Sequence, residues 1–206
     1  MSFVHLHVHS QYSLLEATCQ TKAIAKRAAE FGMPAVALTD YGNMFAAIEF
    51  YFACKDASVK PIIGLEVYLA PNSRHVKSED RDNRVPNRRL VLLAQNFAGY
   101  QNLCRISTVG YKEGFYYRPR VDEEVLEKYN ANLIALSGGL MGEVPWTFKN
   151  RTPEEALVKV RLFQKIYGDR FYLEMNRTGV PAWNDINPFL LESSKITGVQ
   201  TVASND

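Results

Sequence analysis

Short apolar runs alternate with segments of helical periodicity from one end of this chain to the other. That alternation restricts the fold more than any single motif does. The spacing predicts strands at Phe3–His9, Ala35–Thr39, Pro61–Leu69, Leu90–Ala94, Leu133–Leu136, Phe171–Met175 and Val199–Ala203. It predicts helices at Gln20–Phe31, Met44–Ala57, Gly99–Val109, Glu123–Tyr129 and Asn187–Thr197, and one that starts at Thr152 and runs to about Tyr167. Thr152-Pro153-Glu154-Glu155 reads as a helix start, with a capping hydroxyl, a proline and two acids in the first turn. Seven short apolar strands with mostly helical connections predict an α/β fold on a parallel sheet. Polar residues recur at strand ends, which favours a closed barrel with its site at that face.

The chemistry concentrates at the N-terminus. Three of the four histidines fall in His5-Leu6-His7-Val8-His9. In a strand, residues two apart share a face, so His5, His7 and His9 would line one side. Imidazoles so placed can grip a divalent metal. Asp40, Glu66 and Asp206 each stand in or just after a predicted strand. The rest of the chain is unremarkable in charge: +2 over 206 residues, 47% of them hydrophobic, which excludes a strongly basic nucleic-acid binder. No run is long enough to span a membrane and no signal peptide opens the chain, so a cytoplasmic location is expected. Cys19, Cys54 and Cys104 are expected as reduced, mostly buried thiols. Arg74–Arg89, with six basic and three acidic residues, reads as a solvated loop.

Several blocks together resemble the PHP (polymerase and histidinol phosphatase) domain family. They are the opening Phe3–Ser10 and Gln11–Glu16, then Gly32–Asp40, Lys60–Glu66, Gly114–Arg120, Leu136–Gly142 and Val202–Asp206. Within the family, Gly114-Phe-Tyr-Tyr-Arg-Pro-Arg120 is similar to the branch found in bacterial replicative DNA polymerases. The resemblance implies a distorted (β/α)7 barrel of PHP type. It also implies a fragment of a larger replicative subunit, lacking a closing helix and the last metal-ligand histidine.

The family holds up to three metals in the barrel mouth and hydrolyses phosphoesters. By this resemblance His7, His9, Glu66 and Asp206 match the first metal's ligands, and Glu16 is a relic of the third site. The other ligand positions fall on Tyr41, Arg89, Gly139 and Thr178. Guanidinium stays protonated and glycine has no side chain, so neither can bind metal. Asp40 and His5 are expected as supporting partners of the ligands, with helix capping before Met44 equally open for Asp40. Arg89 is expected to reach into the pocket and supply the second metal's charge.

These matches imply a degenerate domain with one divalent metal (zinc, manganese or magnesium) or none. Its role would be structural, or the docking of partners. The implied partners are the remaining polymerase domains, a proofreading exonuclease subunit, and DNA through the parent complex, with no membrane. Tyr116, Tyr117, Arg118 and Arg120 would pack against neighbouring domains or meet nucleic acid. The alternative is an active metal-dependent 3′–5′ exonuclease or phosphoesterase. A stand-alone histidinol phosphatase is disfavoured by the polymerase-type block.

Overall fold

The computed structural model describes residues 3–77 and 86–205. In chain order its helices are α1 (Thr21–Glu30), α2 (Ala47–Asp56), α3 (Phe97–Lys112), α4 (Glu123–Tyr129), α5 (Glu143–Asn150), α6 (Pro153–Tyr167) and α7 (Trp183–Thr197). Its strands are β1 (Ala35–Leu38), β2 (Lys60–Leu69), β3 (Arg88–Ala94), β4 (Phe115–Tyr116), β5 (Arg118–Val121), β6 (Leu133–Leu136), β7 (Phe171–Asn176) and β8 (Thr201–Ser204). They form one curled α/β sheet in the order β4-β5-β2-β3-β6-β7-β8, with β1 beside β2.

The sheet is mixed, which corrects the expectation of parallel pairing throughout. β1–β2, β2–β5, β6–β7 and β7–β8 are parallel, but β3 runs antiparallel to both β2 and β6. No helix is described between β2 and β3, and an adjacent strand reached without a crossover returns antiparallel. The consequence for the site is direct. The start of β3, not its end, lies at the mouth formed by the C-terminal ends of β2, β7 and β8.

β2 is long because it serves three neighbours. Its first half pairs with β1, and its second half pairs with β3 on one edge and β5 on the other. Gly64 sits at the changeover. A Cβ there would lie 2.7 Å from Thr39 Cγ2 and 2.8 Å from the Leu92 carbonyl oxygen, so only glycine lets the strands close.

The predicted first strand, Phe3–His9, does not join the ladder. It runs beside β1 through two backbone bonds, Ala37 N–H to His5 O and Thr39 N–H to Val8 O. Thr39 Oγ1 takes the place of a further backbone partner, accepting from Val8 N–H at 3.0 Å and donating to Val8 O at 3.1 Å.

Period-two alternation then divides the sheet. Leu65, Val67, Leu90, Leu92, Leu133, Ala135, Phe171 and Leu173 face outward into the core shared with the helices. The inward face holds Ala37, Val91, Leu93 and Leu136, against which Leu6, Ile62, Ile134, Tyr172 and Val202 pack. Leu6 from the first segment and Val202 from β8 share that inner cluster, as a barrel-like curl requires. Climbing from this apolar floor by two residues on β3, β7 and β8, and by four from Ile62 on β2, leads to Arg89, Glu174, Ser204 and Glu66, which line the mouth.

Three segments differ from the sequence expectations. Arg74–Arg89 is not solvated at its ends: Arg74 is buried against Asp122, Glu113 and Glu124, and Arg88 and Arg89 belong to β3. Gly114–Arg120 folds as the β4–β5 hairpin, a pairing too short to read from periodicity. Helix α5, capped at Gly142 and carrying Pro145 in its first turn, was not foreseen. The thiols are unpaired, but Cys54 alone is buried, Cys104 is partly so, and Cys19 is exposed. No helix among the described residues is long and apolar enough to cross a membrane.

Candidate metal centre

His7 is the hinge of the mouth. Its Nε2 lies 2.8 Å from Glu66 Oε2, and its Nδ1 lies 2.7 Å from Glu174 Oε1. Both partners are carboxyl groups, and an ionised carboxylate only accepts hydrogen bonds, so this geometry favours the doubly protonated ring. Burial opposes that charge, but the Glu174 and Glu66 carboxylates outweigh it and hold the His7 pKa well above its ordinary value. Burial would likewise raise Glu66, yet His7 and His9 win and bring it down to about 2. His9 donates through Nε2 to the same Glu66 oxygen at 2.7 Å.

Glu174 was not singled out from sequence. It is fully buried, its Oε1 also accepts from Ser204 Oγ, and its backbone N–H donates to Ser137 Oγ at 2.8 Å. One acid within the apolar strand Phe171–Asn176 was the available signal, the same signal that marked Glu66 in β2.

A ring nitrogen of His7, a ring nitrogen of His9 and a carboxylate oxygen of Glu66 lie within 4.8 Å of one another. Two imidazoles and a carboxylate fit one divalent ion. Binding would require His7 Nε2 to give up its proton, while Glu174 keeps Nδ1–H and fixes the ring's orientation. Asp206, the fourth expected ligand, lies outside the described residues.

The remaining expected positions cluster beside Glu66. Tyr41 stacks on the His9 ring, with centroids 3.9 Å apart and planes 16° from parallel. Arg89 lies over the other aromatic surface, its Cζ 4.0 Å from the Tyr41 centroid and 5.5 Å from that of Tyr68. Its Nη2 donates to Glu16 Oε2 at 2.9 Å, and Arg118 Nη2 donates to Glu16 Oε1 at 3.3 Å. Burial alone would lower the Arg89 pKa, but Glu66, Tyr41 and Glu16 reverse this and the net shift is upward. Glu66, Arg89, Gly139 and Thr178 line one cavity of about 150 Å³, with Leu140, Met141, Val180 and Trp183 completing its wall.

Two expected supporting residues act elsewhere. Asp40 is engaged by the turn after His9. Its carboxylate accepts from Ser10 N–H, Ser10 Oγ and Ser13 Oγ, each at 2.7 Å, and so fastens the turn after His9 to the end of β1. His5 packs edge-on to Phe3, and its Nδ1 has no hydrogen-bond partner among the described residues. The aromatic-basic block also divides. Arg120 is buried, donating to Gly114 O at 3.1 Å and Val76 O at 2.8 Å, whereas Arg118 reaches the mouth and Tyr117 faces solvent. Gly114 is required there, because a Cβ would lie 1.8 Å from the Arg120 carbonyl oxygen.

A model of the PHP domain matches residues 5–178. The chain is 42% identical over 204 residues to a DNA polymerase III subunit alpha of Borreliella burgdorferi, a match covering 99% of this chain and 18% of that protein. It is 40% identical over 208 residues to the protein of the same name from Aquifex aeolicus, covering 99% and 18%. Among solved structures, a Bifidobacterium adolescentis protein assigned as a metal-dependent phosphoesterase superposes with a TM-score of 0.55 at 12% identity, over 98% of this chain and 85% of that one. An amidohydrolase from Chromobacterium violaceum superposes with a TM-score of 0.58 at 16% identity, over 98% and 86%. The chain thus spans under a fifth of the length of these curated relatives, and at such identities the two structures speak for the fold.

Proposed function

This chain belongs to the PHP domain family, and on that premise we propose that it is the N-terminal PHP domain of a bacterial replicative DNA polymerase, acting as a structural and docking module rather than a phosphoesterase. Nucleotidyl transfer needs a carboxylate-held metal pair. In this reading that pair lies in another part of the polypeptide, in keeping with the share of each relative that the chain spans. The partners are the other polymerase domains, a separate proofreading exonuclease subunit, and DNA through the assembled polymerase, all in the cytoplasm.

One observation carries the non-catalytic reading. The cavity next to Glu66 offers Arg89, Gly139 and Thr178 where neighbouring metal ligands would have to stand. Phosphoester hydrolysis by clustered metals needs one ion to activate the attacking water and another to hold the phosphoryl oxygens. His7, His9 and Glu66 supply ligands for one ion. With two nitrogen donors, that site suits zinc or manganese better than magnesium.

The same three ligands support the second reading, a metal-dependent 3′–5′ exonuclease or phosphoesterase. Incubation with bis-p-nitrophenyl phosphate and 3′-labelled single-stranded DNA, with zinc, manganese or magnesium in turn, separates the two. We expect release no faster than from a His7→Ala variant purified in parallel. Turnover that His7→Ala abolishes would favour the hydrolase.

A further inference from the structure

Resting on the reading that the mouth holds no metal cluster, we infer that Arg89 is the resident cation of this site: it lines the cavity beside Glu66, and its fixed charge keeps a second divalent ion out of it. Charge is the first argument. Among the described residues, Glu16, Glu66 and Glu174 bring three carboxylates to the mouth. Arg89 and Arg118 answer with two permanent cations, both of which reach Glu16. A divalent ion in the cavity beside Arg89 would add two positive charges next to a guanidinium that cannot give up its own.

Placement is the second argument. Arg89 is fixed at its backbone, donating N–H to Met141 O at 2.8 Å and pairing across β2 with Tyr68. Its side chain is clamped between the Tyr41 face and Glu16, and Tyr41 is itself held by its stack on His9. The clamp therefore runs without a break from the histidine ligands to the arginine. Nε of Arg89 is buried with no hydrogen-bond partner among the described residues, so charge and stacking, more than a full set of hydrogen bonds, keep the group in place. Removing the charge would leave Glu16 without its Arg89 partner and Glu66 as the charged residue lining a cavity of about 150 Å³, roomy enough for a hydrated cation.

The test compares the wild-type chain with Arg89→Met, which keeps bulk but not charge, and Arg89→Lys, which keeps charge but not the planar stack. Thermal unfolding is followed in EDTA and in 1 mM manganese, and manganese binding is counted by equilibrium dialysis. Arg89→Met is expected to unfold about 6 °C or more below wild type in EDTA. It should recover at least half of that in manganese and bind one equivalent more than wild type. Arg89→Lys should show only the manganese response of wild type. The inference falls if the response of Arg89→Met does not exceed that of wild type, whether or not the variant is folded in EDTA. Two equivalents bound by the wild-type chain itself would instead overturn the reading beneath it.

Discussion

Glu174→Ala is expected to destabilise the chain by about 3–5 kcal/mol, the cost of removing one partner from a buried ion pair. Glu174 and His7 are both shielded from solvent, and Glu174 joins β7, through its contacts with His7 and Ser204, to the first segment and to β8. Its loss takes a carboxylate from the buried His7 ring, removes the acceptor of the Ser204 hydroxyl, and opens a void in the mouth. For a chain of this size the melting temperature should fall by about 10 °C. Glu174→Gln, which preserves volume and an acceptor oxygen, should cost less than half as much. Circular dichroism melts of the two variants decide this, and an alanine variant within about 1 kcal/mol of wild type would show that the network does not hold the strands together.

Glu143→Ala should have a similar cost, about 3–5 kcal/mol, at the opposite side of the sheet. Glu143 opens α5 and accepts from Arg88 Nε at 2.5 Å, with Lys159 Nζ of α6 3.3 Å from its other oxygen. Arg88 is buried, with its guanidinium 5.2 Å from the Trp146 ring, so the substitution leaves a cation inside with no carboxylate among the described residues. Exposed pairs give the control. Glu192→Ala, which breaks the exposed pair with Lys195, should change stability by no more than about 0.5 kcal/mol. Urea unfolding of both variants measures the contrast, and equal effects would refute the claim that burial sets the cost.

Much of this architecture is legible in the residues because strand and helix periods differ. Six of the seven predicted strands and all six predicted helices are present, with boundaries shifted by a few residues. The exception, Phe3–His9, has strand composition, but Thr39 Oγ1 takes the ladder bond that would have made it one. Strand direction was not legible. Nothing in Arg88–Ala94 says which way it runs, since pairing sense follows from how the chain returns, not from the residues paired. The same limit hid Arg88, which read as the end of a charged loop, and Arg89 was expected in the pocket only through the family resemblance. Only the antiparallel start of β3 at the mouth sends one arginine outward to Glu143 and the next inward to the cavity of Glu66.

The cluster His7, His9 and Glu66 was legible because two-residue spacing and a lone acid in an apolar strand are local signals. Glu174 carried the same signal as Glu66 and was passed over for want of a neighbouring motif. Asp40 shows the converse. An acid at a strand end was in the right place for a ligand's partner, but two serines nearer in the chain claim its oxygens.

The account stands on the claim that this PHP domain has room for one divalent ion at most. Elemental analysis settles it most directly: untagged protein equilibrated with zinc and with manganese, passed through metal-free gel filtration, then assayed for metal per chain. The account predicts one equivalent or none, with any bound metal lost in His7→Ala. Two or more equivalents per chain would contradict it.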